Sequence, residues 1–461
     1  MADTLNHQPH TPAASLRTWQ IITFILLSVG YAGYYLCRSH LSVVAPLLKA
    51  ELARRHMTSG DPKVAIGDMI AWGTGFYVAG KFLGGMAGDV IGGRRNFLAG
   101  MGGAVVFTLL FALSGSIPLL TVCWIGNRFI QAFGWPGLVK VAGKWTPYTH
   151  YGLALGILSL SYLFGDSAAR LFMGILISAG FGWRSVFFVN AGVLAFWFVL
   201  SCLFLRESPG QIGLPELPVD PATTSPGTTD DSDAGVDTHR LGALLVRLLS
   251  NPGFWLVCLL SLATTFVRET FNNWTPTYFV EALHMDPGPA ARNSAWFSLT
   301  GGISVLVFGW LSDKLGRPGR AICMVGGFGL SSGALFMLAA ATHGWAGVWL
   351  GIAVAFVLIG PYSFLSGSLA LDCGGRGGSA TAAGIIDGVG YIAGILAGSY
   401  VARIASVHGW GAVFNTLGVV ILAAAGISLA YLFLQTRPVS QPVIPSDFPV
   451  SQDPAAEKTI D

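Results

Sequence analysis

Eight ionisable side chains stand where ionisable side chains are costly. Arg38, Lys81, Arg128, Arg170, Arg268, Asp166, Glu269 and Asp387 fall inside long apolar blocks of the chain. A charge at the centre of a bilayer costs at least ~2.5–3.5 kcal/mol on insertion scales, so each must face a wet cavity, a partner or a ligand. Five cations against three anions leave positive charge over, and the missing negative charge points to an anionic guest. Arg38 and Arg268 are the strongest candidates to bind it. Each precedes a proline, Pro46 or Pro276, by eight residues. Guanidinium forks bind tetrahedral or planar oxyanions bidentately and stay charged. Two forks on opposite cavity walls repel until one anion sits between them, so the guest itself would stabilise a closed state. Lys81, amid Gly80, Gly84 and Gly85, adds a third cation to that site or reaches back toward Asp89. Tyr31, Tyr34, Tyr35 and Tyr391 are candidates for the cavity wall.

The three acids divide by neighbourhood. Asp166 and Arg170 are four apart, with the acid first, which puts them on one helix face in the favourable order. They read first as a structural pair, with proton coupling through Asp166 as the alternative. Glu269 adjoins Arg268 but points about 100° away around a helix. Asp387 sits amid glycines with no local partner. Glu269 and Asp387 are the main proton-carrier candidates. The six cysteines are scattered, with no CxxC and no metal-ligand spacing, so they read as small buried hydrophobes, and no metal or cofactor is expected. Gly-rich runs such as Gly374–Gly378 read as loops or close-packed helix ends, because no strand precedes them.

Elements able to hold these charges follow from composition. The 461 residues are 53% hydrophobic and 11% charged, with a mean hydropathy of +0.62. A soluble domain of this size needs far more surface charge. Twelve apolar segments lie near 19–48, 64–88, 97–114, 118–139, 152–179, 184–205, 251–282, 292–312, 320–341, 346–371, 378–402 and 410–434, long enough for helices to cross a bilayer. The fold class is an all-α membrane protein with twelve transmembrane helices in two six-helix, pseudo-symmetric bundles. The organisation is a tail (1–18), a first bundle (19–205), a polar linker (206–250), a second bundle (251–434) and a tail (435–461). Pro, Thr, Asp and Gly in 218–237 give the linker little to bury. Polar residues 1–17 lack a signal-peptide pattern, so the first helix is expected to remain in the mature protein. With both termini on the cytoplasmic side, that side holds fourteen basic residues and the other seven, which favours an N-in, C-in orientation. The first outer loop, with four basic residues, runs against the trend.

The halves also match each other. Gly85-Met86-Ala87-Gly88-Asp89 recurs as Gly309-Trp310-Leu311-Ser312-Asp313. Each Asp is followed by a Gly three residues on and then by basic residues, Arg94 and Arg95 or Arg317 and Arg320. Short loops of this kind at helix ends suit interhelical salt bridges, and Gly85, Asp89, Arg94, Gly309, Asp313 and Arg317 are expected to latch an outward-facing state. Matched landmarks in two halves indicate parallel repeats related by an axis along the membrane normal.

The loop motif and paired halves resemble the major facilitator superfamily. Within it, the chain resembles the organophosphate:phosphate antiporters. The residues that carry this are Tyr31-Ala-Gly-Tyr-Tyr-Leu-Cys-Arg38, Gly134-Trp-Pro136, Glu207-Ser-Pro209 with Gly213-Leu-Pro215, Asn273-Trp-Thr-Pro-Thr-Tyr278, and Thr381-Ala-Ala-Gly384 with Gly390-Tyr391. The resemblance implies that Arg38 and Arg268 bind a substrate phosphate with Lys81 nearby, and that a phosphate ester is exchanged for inorganic phosphate as the halves rock. It implies a transporter and not an enzyme, a monomer in a bacterial inner membrane, and no nucleic-acid partner. Departures are present. Ser39 stands where the family usually has Lys, Ser161 where glycerol-phosphate members have His, and Thr265 and Ile359 where they have Tyr. Arg128 with Gln131 and Gly134 resembles a motif of proton-coupled members of the wider superfamily. Two alternatives stay open: a proton-coupled carboxylate symporter, whose first-helix pattern Arg38 to Pro46 approximates, and a transporter-like sugar-phosphate sensor.

Overall fold

The computed structural model describes residues 13–147, 150–217, 245–316, 318–341 and 344–436. The chain runs through α1 (Ala13–Leu36), α2 (His40–Arg54), α3 (Pro62–Ile91), α4 (Gly93–Leu113), α5 (Ile117–Gln131), α6 (Gly134–Trp145), α7 (Tyr151–Ser178) and α8 (Trp183–Phe204). It continues with α9 (Pro252–Glu281), α10 (Pro287–Lys314), α11 (Gly319–Ala340), α12 (Gly344–Ser366), α13 (Ser368–Val407) and α14 (Gly409–Thr436). Ten stretches are long and apolar enough to cross a membrane, one of them α1 and α2 together. With α3 and the α5–α6 pair they make twelve spans. These last two are less apolar: α3 carries Lys63, Asp68, Lys81 and Asp89, and α5–α6 carries Arg128, Lys140 and Lys144.

Local chemistry explains several boundaries. Proline opens α3, α9 and α10, giving up a donor that a first helical turn leaves unpaired anyway. The Asp61 carboxylate accepts from the Lys63 amide and the Asn251 side chain from the Gly253 amide, capping α3 and α9. Two spans are broken where the sequence suggested single segments. At 37–39 the amides of Cys37 and Arg38 turn to the carbonyls three residues back, at 3.0 and 3.2 Å. Ala132 and Phe133 do the same, at 3.3 and 3.2 Å, between α5 and α6. These tighter turns redirect the chain beside the central cavity. The Gly374–Gly378 run is neither loop nor helix end: α13 passes straight through it and begins at Ser368.

Helices α1–α8 and α9–α14 form two bundles that meet along three seams, α3 on α13, α7 on α10 and α2 on α9. Small residues make the first seam close. A Cβ on Gly398 would lie 2.7 Å from both the Ala71 nitrogen and the Gly67 oxygen, so two backbones touch there. Charged ties between the halves gather toward the end that bears the loops at 55–61, 179–182 and 282–286. Glu281 takes Lys49 at 2.6 Å and Lys63 at 2.7 Å, and accepts from the Trp410 indole at 2.9 Å. Asp68 accepts from Ser399 at 2.5 Å and pairs with Arg403 at 3.4 Å. That end is closed.

The linker is not wholly free of structure. Residues 205–217 stay with the first bundle, where the Trp145 indole donates to the Arg206 carbonyl at 3.0 Å. Leu248, just before α9, is buried in the apolar core that runs through both bundles. The stretch 218–237, expected to be a flexible centre, lies outside the described residues.

Candidate functional site

A cavity of about 530 Å³ lies between the bundles. Its walls come from α1 to α3, α5 to α7, α9, α10, α12 and α13, and from the break at 37–39. All eight intramembrane charges line it: Arg38, Lys81, Arg128, Arg170, Arg268, Asp166, Glu269 and Asp387. Arg38 and Arg268 therefore face one common space from opposite halves. Arg38 sits at the end of the broken turn, donates to the Tyr77 hydroxyl at 3.1 Å, and lies over the Tyr77 ring at 4.5 Å and the Tyr35 ring at 5.2 Å. Arg268 lies over Tyr362 at 4.7 Å and Tyr391 at 6.0 Å. Tyr77 and Tyr391 pack edge to face, with centroids 5.5 Å apart, so the two arginines lean on a bridging tyrosine pair. Lys81 rests on the same pair, at 4.6 Å from Tyr391 and 5.6 Å from Tyr77.

The acids are more fully engaged than the sequence suggested. Asp166 pairs with Arg170 at 2.8 Å and accepts from Ser39 and Ser298. Arg170 in turn donates to the Asn272 carbonyl of the other half at 2.8 Å. Glu269 does bond to Arg268, at 2.9 Å. The 100° offset describes where the Cα–Cβ bonds point, and two long side chains reach across it. Asp387 is also partnered, by Lys81 at 3.6 Å; the partner comes from the other bundle and could not be seen in local spacing. Lys81 reaches into the cavity, away from the helix end that holds Asp89. Of the cavity's five cations, Arg38 and Arg128 have no carboxylate in ion-pair distance among the described residues. The net excess of positive charge thus sits around Tyr77.

Some tyrosines were misplaced or missed. Tyr34 is buried in the first bundle and donates to the Phe97 carbonyl, so it does not line the cavity, whereas Tyr31 and Tyr35 do. Tyr77, Tyr162 and Tyr362 also line it and were not singled out. Tyr77 lies four residues before Lys81 on one helix face, and that spacing was the available signal. Of the departures, Ile359 is in the wall, while Ser161 turns its hydroxyl to the Leu158 carbonyl.

Of the expected latch residues, Gly85, Arg94, Gly309 and Asp313 occupy the end opposite the closed one. Arg94 is held inside its own bundle, donating to the carbonyls of Leu205 at 2.6 Å and Cys202 at 2.8 Å. Asp313 is exposed, and a Cβ at Gly85 or Gly309 would meet nothing. The Asp89 side chain and Arg317 lie outside the described residues. Glu207 caps α4 by accepting from the amides of Gly93 at 3.0 Å and Arg94 at 2.6 Å, and it pairs with Lys144 at 3.1 Å. Burial works to raise this carboxyl, and those amides with Lys144 outweigh it, holding it below the usual glutamate range. A depressed carboxylate contributes stability above its unfolded pKa, ~4.3, and loses it as pH falls through the lower folded value. Glu207→Ala is expected to cost about 1 kcal/mol at neutral pH, with the gap to the parent closing on acidification. Thermal unfolding in detergent across pH checks this, and a gap that persists in acid would contradict it.

Comparison with known proteins agrees with this architecture. The family model described as Major Facilitator Superfamily matches residues 27–398. The "Membrane sensor protein UhpC" of Salmonella typhimurium is 28% identical over 427 residues, covering 92% of this chain and 93% of the relative. A "Probable hexose phosphate transport protein" of Chlamydia pneumoniae is 27% identical over 432 residues, covering 91% of each. A POT family transporter crystallised with a thioalcohol-conjugated peptide superposes with a TM-score of 0.71 at 14% identity, over 91% of this chain and 97% of the other. Two packed bundles, twelve spans and the family match from 27 to 398 together place the chain in the major facilitator superfamily.

Proposed function

We propose that the protein carries small phosphate esters across a membrane by alternating access, exchanging them for inorganic phosphate. The observation that carries this reading is the meeting of Arg38 and Arg268, one from each bundle, in one cavity with positive charge in excess. Guanidinium groups offer a phosphoryl oxygen paired, directional donors. Lys81, Tyr35 and Tyr391 complete the wall around that group. An anion drawing Arg38 toward Arg268 favours closure of the open end, and rocking about the seams then parts the tie at Glu281. In the opposite state the loops around Gly85, Asp89 and Arg94, and Gly309, Asp313 and Arg317, come together as the latch. Asp166, Glu269 and Asp387 serve chiefly to neutralise Arg170, Arg268 and Lys81. The protein works as a monomer in a bacterial inner membrane with both termini in the cytoplasm, which makes the described state inward-facing. Its cycle contains no covalent step.

The relatives named above support the phosphate-ester reading: one bears the name "Probable hexose phosphate transport protein". The carboxylate-symport alternative gains nothing from them. The test uses proteoliposomes loaded with radiolabelled phosphate. External glucose 6-phosphate or glycerol 3-phosphate should accelerate efflux, and a pH jump alone should not. Efflux driven by the pH jump and indifferent to external ester would replace exchange with proton coupling. A second reading is favoured by one observation, the similarity to a membrane sensor protein. A sensor would bind the ester with negligible exchange.

A further inference from the structure

Arg128 is the cation that this exchange leaves without a task. It projects from α5 into the cavity and is 6% exposed. Among the described residues it has neither a hydrogen bond nor an ion pair. Its guanidinium rests on the faces of Tyr77 at 4.6 Å and Trp124 at 5.8 Å. The cavity's carboxylates are committed elsewhere: Glu269 to Arg268, Asp387 to Lys81 and Asp166 to Arg170. Arg38 lies on the same Tyr77 ring at 4.5 Å. Two guanidinium groups without a carboxylate partner thus share one ring, Arg128 buried and Arg38 half-buried. Aromatic faces compensate a buried charge only in part, and the like charges repel. A guest with one anionic group between Arg38 and Arg268 leaves Arg128 uncompensated.

We propose that Arg128 forms a subsite for a second anionic group of the substrate. The preferred cargo is then a phosphorylated acid, a small phosphate ester that also bears a carboxylate, over an ester of an uncharged polyol. The inference rests on the phosphoryl clamp proposed above. In it, Arg38 and Arg268 take the phosphoryl group and Arg128, on the first bundle's side of the cavity, takes the carboxylate. The cavity volume of about 530 Å³ easily admits a three-carbon ester of this kind.

The test is competition for radiolabelled inorganic phosphate bound to the purified full-length protein. Glycerol 3-phosphate and 3-phosphoglycerate differ only in a hydroxymethyl group against a carboxylate. In the parent protein 3-phosphoglycerate should displace phosphate at about tenfold lower concentration or less. Arg128→Gln should bring the ratio of the two competitors close to one, and Arg128→Lys should restore part of it. Equal competition in the parent, or a preference that survives Arg128→Gln, overturns the subsite. So does a proportional loss of all three ligands in Arg128→Gln, which would move Arg128 into the phosphoryl clamp. If the parent binds no phosphate at all, the exchange reading fails and the subsite with it. Phosphate binding without preference for the acid defeats the subsite alone.

Discussion

Arg38→Ala and Arg268→Ala should each abolish phosphate binding, yet the two variants should differ in stability. Truncating one partner of a desolvated, hydrogen-bonded charge pair costs about 2–5 kcal/mol of binding, which weakens a micromolar ligand about thirtyfold to several thousandfold and at the upper end takes it beyond ordinary detection. The stability difference follows from what each arginine leaves behind. Arg38 has no acid partner among the described residues, so its removal relieves a half-buried positive charge and withdraws one donor from the Tyr77 hydroxyl. Unfolding of Arg38→Ala in detergent is expected at or above the parental temperature. Arg268 neutralises Glu269 at 2.9 Å, and Glu269 is itself buried. Arg268→Ala strands that carboxylate, a situation that costs about 3–5 kcal/mol when a buried pair is broken. The double variant Arg268→Ala with Glu269→Gln should recover much of the stability and none of the binding. Phosphate-induced thermal shifts measure both quantities together. Parental phosphate binding by either single variant would remove the clamp.

Gly398→Leu should trap the protein with its closed end open. The added Cβ would lie 2.7 Å from backbone atoms of Gly67 and Ala71 on α3, and backbone atoms at a helix crossing cannot turn aside as a side chain can. Overpacking of this sort costs about 1–3 kcal/mol, and the cost falls only on the state in which α3 and α13 touch. A penalty near 3 kcal/mol shifts the balance between states by about a hundredfold. Exchange should therefore collapse while phosphate binding survives. The readout is labelling of Ser42→Cys, in a background otherwise free of cysteine, by an impermeant maleimide applied at the closed end. Ser42 now donates to the Asn272 carbonyl across the seam and lines the cavity. Labelling should rise with the Gly398→Leu change. Unchanged labelling and normal exchange would mean that the crossing is not a moving contact.

The sequence carried the spans, the two halves and the set of eight charges, because each is a one-dimensional signal. Apolar length reports a span, repeated landmarks report a repeat, and a charge in an apolar block reports a cavity. Pairings between helices were not legible. The Lys81–Asp387 contact joins residues about three hundred positions apart, and no local period encodes which helix faces which. Glu269 was assigned by ideal helix rotation, which fixes Cβ and not the end of a four-bond side chain. Tyr77 and Tyr362 escaped notice because a tyrosine in an apolar segment is unremarkable until a guanidinium is seen above it. The breaks at 37–39 and 132–133 lack an internal proline to announce them, although Pro136 follows the second closely.

Glu281 gives the closed end a property that the glycine crossing lacks. Its carboxylate takes Lys49 at a rim reached by water, where Lys49 is one-third exposed, and Lys63 behind it, where water hardly reaches. Dissolved ions compete with attraction of that kind, over a screening length that shrinks from about 10 Å at 0.1 M to about 3 Å at 1 M. The contact of Gly67 with Gly398 is steric and indifferent to electrolyte. Brine in the compartment beyond the rim would then loosen the charged fastening while leaving the backbone contact intact, so the ease of parting the bundles is tuned by the saltiness of the medium.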